Sequence, residues 1–164
     1  MSRDALVDQV LSVWRRHDDI MLMLLDAVPR GGLAALPEGS RGRDVARQFF
    51  HVARVRKGWV HLHQTGKRPK LPRAHDGARP TKAQLRKELK ESGKAVEAVL
   101  SAALTGGGKI RMFGGNPVRW MSYLVSHESH HRGLIALALK QSGKKLSDDV
   151  ALDGLWKSWM SGKD

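Results

Sequence analysis

Apolar residues recur at three- and four-residue steps in four long stretches of the chain and one short one. The first, residues 5–28, carries Leu6, Val10, Val13, Ile20, Leu24 and Val28, with His17 in the gap between Val13 and Ile20. Asp4 supplies a cap or first-turn acid there, and Pro29 the stop. The second, from about Asp44 to Gln64, carries Val45, Phe49, Val52, Val55, Trp59 and Leu62. The third opens on Thr81, a good N-cap, and runs to about Leu104 on Leu85, Leu89, Val96, Val99 and Leu100, a stripe without metal ligands. The fourth has Pro117 in its first turn and contains residues 120–140, WMSYLVSHESHHRGLIALALK. A short fifth, 148–160, offers Val150, Leu152, Leu155, Trp156 and Trp159 as apolar contacts. Connections at 30–42, 65–80 and 105–115 carry the Gly and Pro expected of loops. No stretch alternates as a strand does. The pattern predicts an all-α chain: a four-helix bundle with a short C-terminal helix, one domain over 1–164.

At ~100° per residue, Trp120, Leu124, His127, His131, Leu134, Ile135 and Ala138 share one face of the fourth helix. His127 and His131 stand one turn apart near the middle of that inward stripe, where polar groups need partners. A shared metal ion satisfies two imidazoles at i and i+4. A pair of core histidines bonded to neighbouring helices fits the same pattern. The spacing by itself is weak: with eight histidines in the chain, an HxxxH match arises by chance roughly one time in three. Bundles build metal sites between facing helices, so a third ligand belongs on another helix. His51, within ~40° of Val55 and Leu62, leads and His17 is its rival, although a core histidine bonded to a neighbouring helix is the favoured reading of His17; spacing leaves the choice open. His61 points ~80° away from His51, and His63 lies about three turns along from it, so neither joins that site. His75, in the 65–80 connection, has no evident role.

Composition narrows the chemistry. Zero cysteines exclude disulfides, thiolate ligands and a cysteine nucleophile, so a metal site must use His, Asp or Glu. The opening MSRDALVDQV carries acid early and has no long apolar run, so a leader is not expected and the cytoplasm is the default compartment. No run of ~18 apolar residues predicts a membrane span. The net charge of +13 fits either a nucleic-acid-binding face or a solvated basic surface; Lys and Arg are scattered without a dense run, which favours the surface. TGGGKIRMFGG at 105–115 lacks the GxxxxGK[ST] of a phosphate loop and reads as a crossover.

Three segments carry a family resemblance: QFFHVARVR around His51, HESHHRGLIALALKQSG around His127 and His131, and LWKSW at 155–159. With the order of the helices, they resemble the DinB-like (YfiT-like) family of metal-dependent enzymes over nearly the whole chain. The translesion DNA polymerase that shares the DinB name is a different protein, and no acidic palm motif is present. The resemblance implies a four-helix bundle with a three-histidine metal site, whose ligands fall on His51, His127 and His131. It therefore selects His51 over His17. Members studied as enzymes use a low-molecular-weight thiol such as mycothiol or bacillithiol in S-transfer or maleylpyruvate isomerisation.

Three neutral imidazoles would leave a divalent ion, Zn²⁺ or Ni²⁺, with an open position able to activate a thiol or water. The expectation is a thiol S-transferase or hydrolase acting on a small molecule. The alternative is a stress-response or nucleic-acid-contacting module with a structural metal. Glu128 and His130 lie on opposite shoulders of the inward stripe: Glu128 is a candidate acceptor for an imidazole N–H or a general base, with a surface pair to Arg132 at i+4 the favoured reading, and His130 is a candidate acid/base or hydrogen-bonding residue. Trp156 and Trp159 could cover a second copy in a homodimer, although capping of the chain's own bundle is preferred.

Overall fold

The computed structural model describes residues 2–71 and 77–160; His75 lies outside them. Four long helices, α1 (Arg3–Ala27), α2 (Val45–Thr65), α3 (Lys82–Thr105) and α4 (Pro117–Gln141), are followed by a terminal helix, α5 (Asp149–Lys157, continuing as Ser158–Met160). There is no strand among the described residues. The long helices start where side chains satisfy their free N–H groups. Ser2, Asp44 and Asn116 each accept from a backbone N–H in the first turn, and Asn116 precedes Pro117 at the first helical position. Thr81 and Gln84 form a complete capping box. Gly66 closes α2 at φ 73°, a left-handed conformation that glycine adopts without strain.

The apolar core falls into two layers. One joins Met21 to Val28 of α1 and its loop, Val45 to Ala53 of α2, Leu85 and Leu89, and Ile135 to Leu139 of α4. The other joins Val7 to Trp14, Val60, Val96 to Ala103 and Trp120 to Leu124. Each layer takes the same end from α1 and α4 and the opposite end from α2 and α3. Hence α1 and α4 run parallel to each other, and antiparallel to α2 and α3. The parallel α2–α3 step leaves the two ends of the α2–α3 connection at opposite ends of the bundle. Its first part lies on α2, where Arg54 Nη2 donates to the Leu71 carbonyl at 3.0 Å.

Between the apolar layers every long helix contributes polar or small residues: His17 and Asp18 from α1, Arg56 from α2, Ser92 and Gly93 from α3, Glu128 from α4. Gly93 is required by packing, because a Cβ there would collide with the Asp18 carboxylate. Its carbonyl also accepts from the Trp14 indole at 3.1 Å.

Two expected faces shift. On α1 the buried stripe begins Val7, Leu11, Trp14, while Leu6 and Val13 are exposed. Trp14, wholly buried, has the larger apolar surface and draws its own face inward. In α5 the winding is the wide π type, which puts residues four to five apart on one side. Val150, Ala151 and Leu155 therefore pack on the core, and the Trp159 ring lies 6.4 Å from His17. Leu152 and Trp156, expected to pack, are mostly exposed.

Candidate metal centre

His51 projects from the middle of α2 toward α4, where His127 and His131 occupy successive turns. One ring nitrogen from each lies within 4.8 Å of the others. The Nε2 atoms of His127 and His131 are 3.2 Å apart. Metal–nitrogen bonds of about 2.0–2.1 Å in a tetrahedral site imply nitrogens roughly 3.3 Å apart, so this edge already has the right span.

The proton positions follow from the partners. Gln48, one turn before His51 on α2, donates through Nε2 to the Arg43 carbonyl at 3.3 Å. That fixes the amide, leaving Oε1 to accept from His131 Nδ1–H at 2.6 Å. His131 therefore presents the lone pair of Nε2 to the cluster. The Nδ1 of His127 is buried with no partner among the described residues. Its Nε2 meets only another neutral imidazole, so the protein alone compensates the burial of this ring poorly.

All three rings are held neutral. Burial, then the positive field of Arg43 and the neighbouring His127, lowers His51 from its ordinary value to about 4. Burial and the other two rings of the cluster lower His131 to about 3. Burial also lowers His127, although Glu128 opposes it. Neutral imidazole is the form that binds metal, and near pH 7 no proton has to be displaced.

The chain's sequence matches the family model described as DinB family over residues 1–164. The chain belongs to the DinB family. No curated protein matches it in sequence. In this DinB protein the three histidines expected as ligands meet in one place, and His17 goes elsewhere. The His17 ring is fully buried, with Nε2 2.8 Å from Glu128 Oε2. Arg132 Nη1 donates to its Nδ1 at 3.2 Å, so His17 carries its proton on Nε2 and donates to the carboxylate.

Glu128 departs from the expected surface pair with Arg132. It is buried, and Arg56 grips it with Nε to Oε1 at 2.8 Å and Nη2 to Oε2 at 2.6 Å. The buried stripe of α4 runs Met121, Leu124, Glu128, His131, Ile135. Glu128 thus sits in its middle and His127 at its edge, reversing their expected places. The cause is Arg56, whose forked guanidinium makes burial of a carboxylate tolerable. His130 is exposed, 5.3 Å from the His131 ring by centroids. His61 is exposed, and His63 Nδ1 accepts from the Arg111 backbone N–H at 3.3 Å.

His51 also lines a cleft of about 650 Å³ that runs beside α2. Val55, Trp59 and Tyr123 form part of its wall. Tyr123 stacks on His127 with ring centroids 5.8 Å apart, and Trp59 meets Tyr123 edge-on at 5.7 Å. The cluster therefore stands at the side of an open cleft.

Proposed function

We propose that this DinB-family protein is a metal-dependent enzyme in which His51, His127 and His131 hold a divalent ion, Zn²⁺ or Ni²⁺. The observation that carries the proposal is the convergence of three neutral imidazoles beside a cleft large enough for a small substrate. A structural site would more commonly be closed by four protein ligands. When bound, such an ion supplies an open position at which a thiol or water loses its proton near neutral pH.

The protein's own contribution is orientation. Gln48 holds the Nδ1 proton of His131 and so aims Nε2 at the centre. Tyr123 braces the His127 ring, and Arg43 favours the neutral state of all three rings. Replacing Gln48 by Leu is expected to weaken metal affinity by about 10–100-fold, whereas Gln48→Glu keeps an acceptor and most of the affinity. Competition against a chromogenic chelator measures both; equal affinities for the Leu variant and the parent would remove Gln48 from this role.

The reaction we favour transfers a low-molecular-weight thiol to an electrophile, with hydrolysis as the variant in which water takes its place. Untagged protein loaded with Zn²⁺ or Ni²⁺ is supplied with candidate thiols and an electrophile, and free thiol is followed. Consumption should require the metal and vanish with His131→Ala. Metal-loaded protein that consumes no thiol with any electrophile, yet hydrolyses an ester, would replace transfer by hydrolysis.

A further inference from the structure

The cleft beside the histidine cluster has a composition of its own. Arg43, Arg54, Arg68 and Lys70 line it together with the apolar walls of Trp59 and Leu71, and no acidic residue lines it among the described residues. Four cations facing one concave space repel one another, an arrangement an anion relieves. The Arg43 Nε is buried without a hydrogen-bond partner among the described residues, so the protein compensates the burial of this guanidinium only in part. Arg54 is tied to the Leu71 carbonyl, which fixes the loop bearing Arg68 and Lys70 against α2.

We infer that this cleft binds a small organic oxyanion, a carboxylate or phosphate ester with a flat apolar body, its charged end among Arg43, Arg68 and Lys70 and its body against Trp59 and Leu71. The inference rests on the metal-centre reading only in making this ligand the substrate. Arginine suits such a head group, since its planar fork matches carboxylate and phosphate oxygens. The apolar wall adds affinity and selects against inorganic anions.

The test uses untagged full-length protein freed of metal with EDTA, so that no oxyanion can bind through an ion. Calorimetric titration compares 2-naphthoate and 2-naphthyl phosphate with the neutral 2-naphthamide. One of the two anions should bind at least tenfold more tightly than the amide. Arg43→Gln should weaken that anion about tenfold and Arg68→Gln severalfold. Arg15→Gln, which changes a surface pair with Glu97, should leave it unchanged. Binding of amide and anions with equal affinity, or retention of full affinity in both cleft variants, overturns the inference. If Arg43→Gln fails to fold by circular dichroism, Arg68→Gln and Lys70→Gln decide, because both side chains are exposed. Metal content of the same protein before EDTA separates the two proposals. Charge-selective binding by a chain that never carries metal would sink the enzyme reading alone; metal retained without such binding would sink the cleft alone.

Discussion

Alanine in place of His51, His127 or His131 should largely empty the metal centre when metal is present only at trace levels, because two protein ligands remain. Alanine at His130 should leave occupancy near normal, since that side chain is exposed outside the cluster. Alanine at His17 should also keep the metal, but at a cost in stability. It removes a buried donor from Glu128 and an acceptor from Arg132, and each buried group left unsatisfied costs about 1–3 kcal/mol. Elemental analysis of untagged protein decides, since an affinity tag of histidines would carry metal of its own. All five variants should fold, because two apolar layers hold the bundle together without the ion. Metal retained without His51 but lost without His17 would mean that the ligand set is wrong.

The histidine cluster was only partly legible in the sequence. The i, i+4 spacing of His127 and His131 is a local property, so a helical period was enough to pair them. Their third partner lies on α2, and no period relates His51 to α4; family resemblance selected it over His17. Gln48, Arg56 and the burial of Glu128 escaped for a common reason. A polar residue on a helix reads as solvated unless its partner is known, and these partners lie 83 residues away for Gln48 with His131 and 72 for Arg56 with Glu128. One signal was available: Gln48 and Arg56 fall beside Phe49 and Val52 on the inward side of α2, where an amphipathic helix should be apolar. The α1, α2, α3 and α4 stretches were legible because their stripes repeat over several turns. The exposed side of α5 was not, because its π winding departs from the 3.6-residue period of an α-helix.

The second large effect concerns the polar layer between the two apolar ones. Arg56 is fully buried, bonded to both oxygens of Glu128 and through Nη1 to Asp18 Oδ1 at 2.5 Å, with its Cζ 5.0 Å from the Trp14 ring centroid. Burial would lower its pKa, but Glu128 and Asp18 outweigh burial and hold it above the ordinary value. Burial would likewise raise the Glu128 carboxyl; Arg56, helped by His17, holds it down at about 2. Asp18 receives one bond from Arg56, and burial together with the Glu128 charge leaves it raised. Arg56→Met removes the only guanidinium bonded to Glu128 among the described residues and strands a buried carboxylate. The expected cost near pH 7 is about 3–5 kcal/mol, read from urea unfolding. Adding Glu128→Leu to that variant should recover part of the loss, because the stranded charge goes with it.

The pH dependence separates this account from a simple loss of packing. In the parent, the Glu128 pair contributes fully above the unfolded carboxyl value near 4.5 and is lost as pH falls from there toward 2. Asp18 works in the opposite sense, since its raised carboxyl takes up a proton more readily in the folded chain, and it offsets part of that loss. In Arg56→Met the Glu128 carboxyl can protonate and no longer needs a cation. The stability gap between parent and variant should therefore narrow as pH falls from 7 toward 3. A gap that stays constant over that range would make the loss one of shape alone, and the ionic layer would have no part in holding α1, α2 and α4 in register behind the histidine cluster.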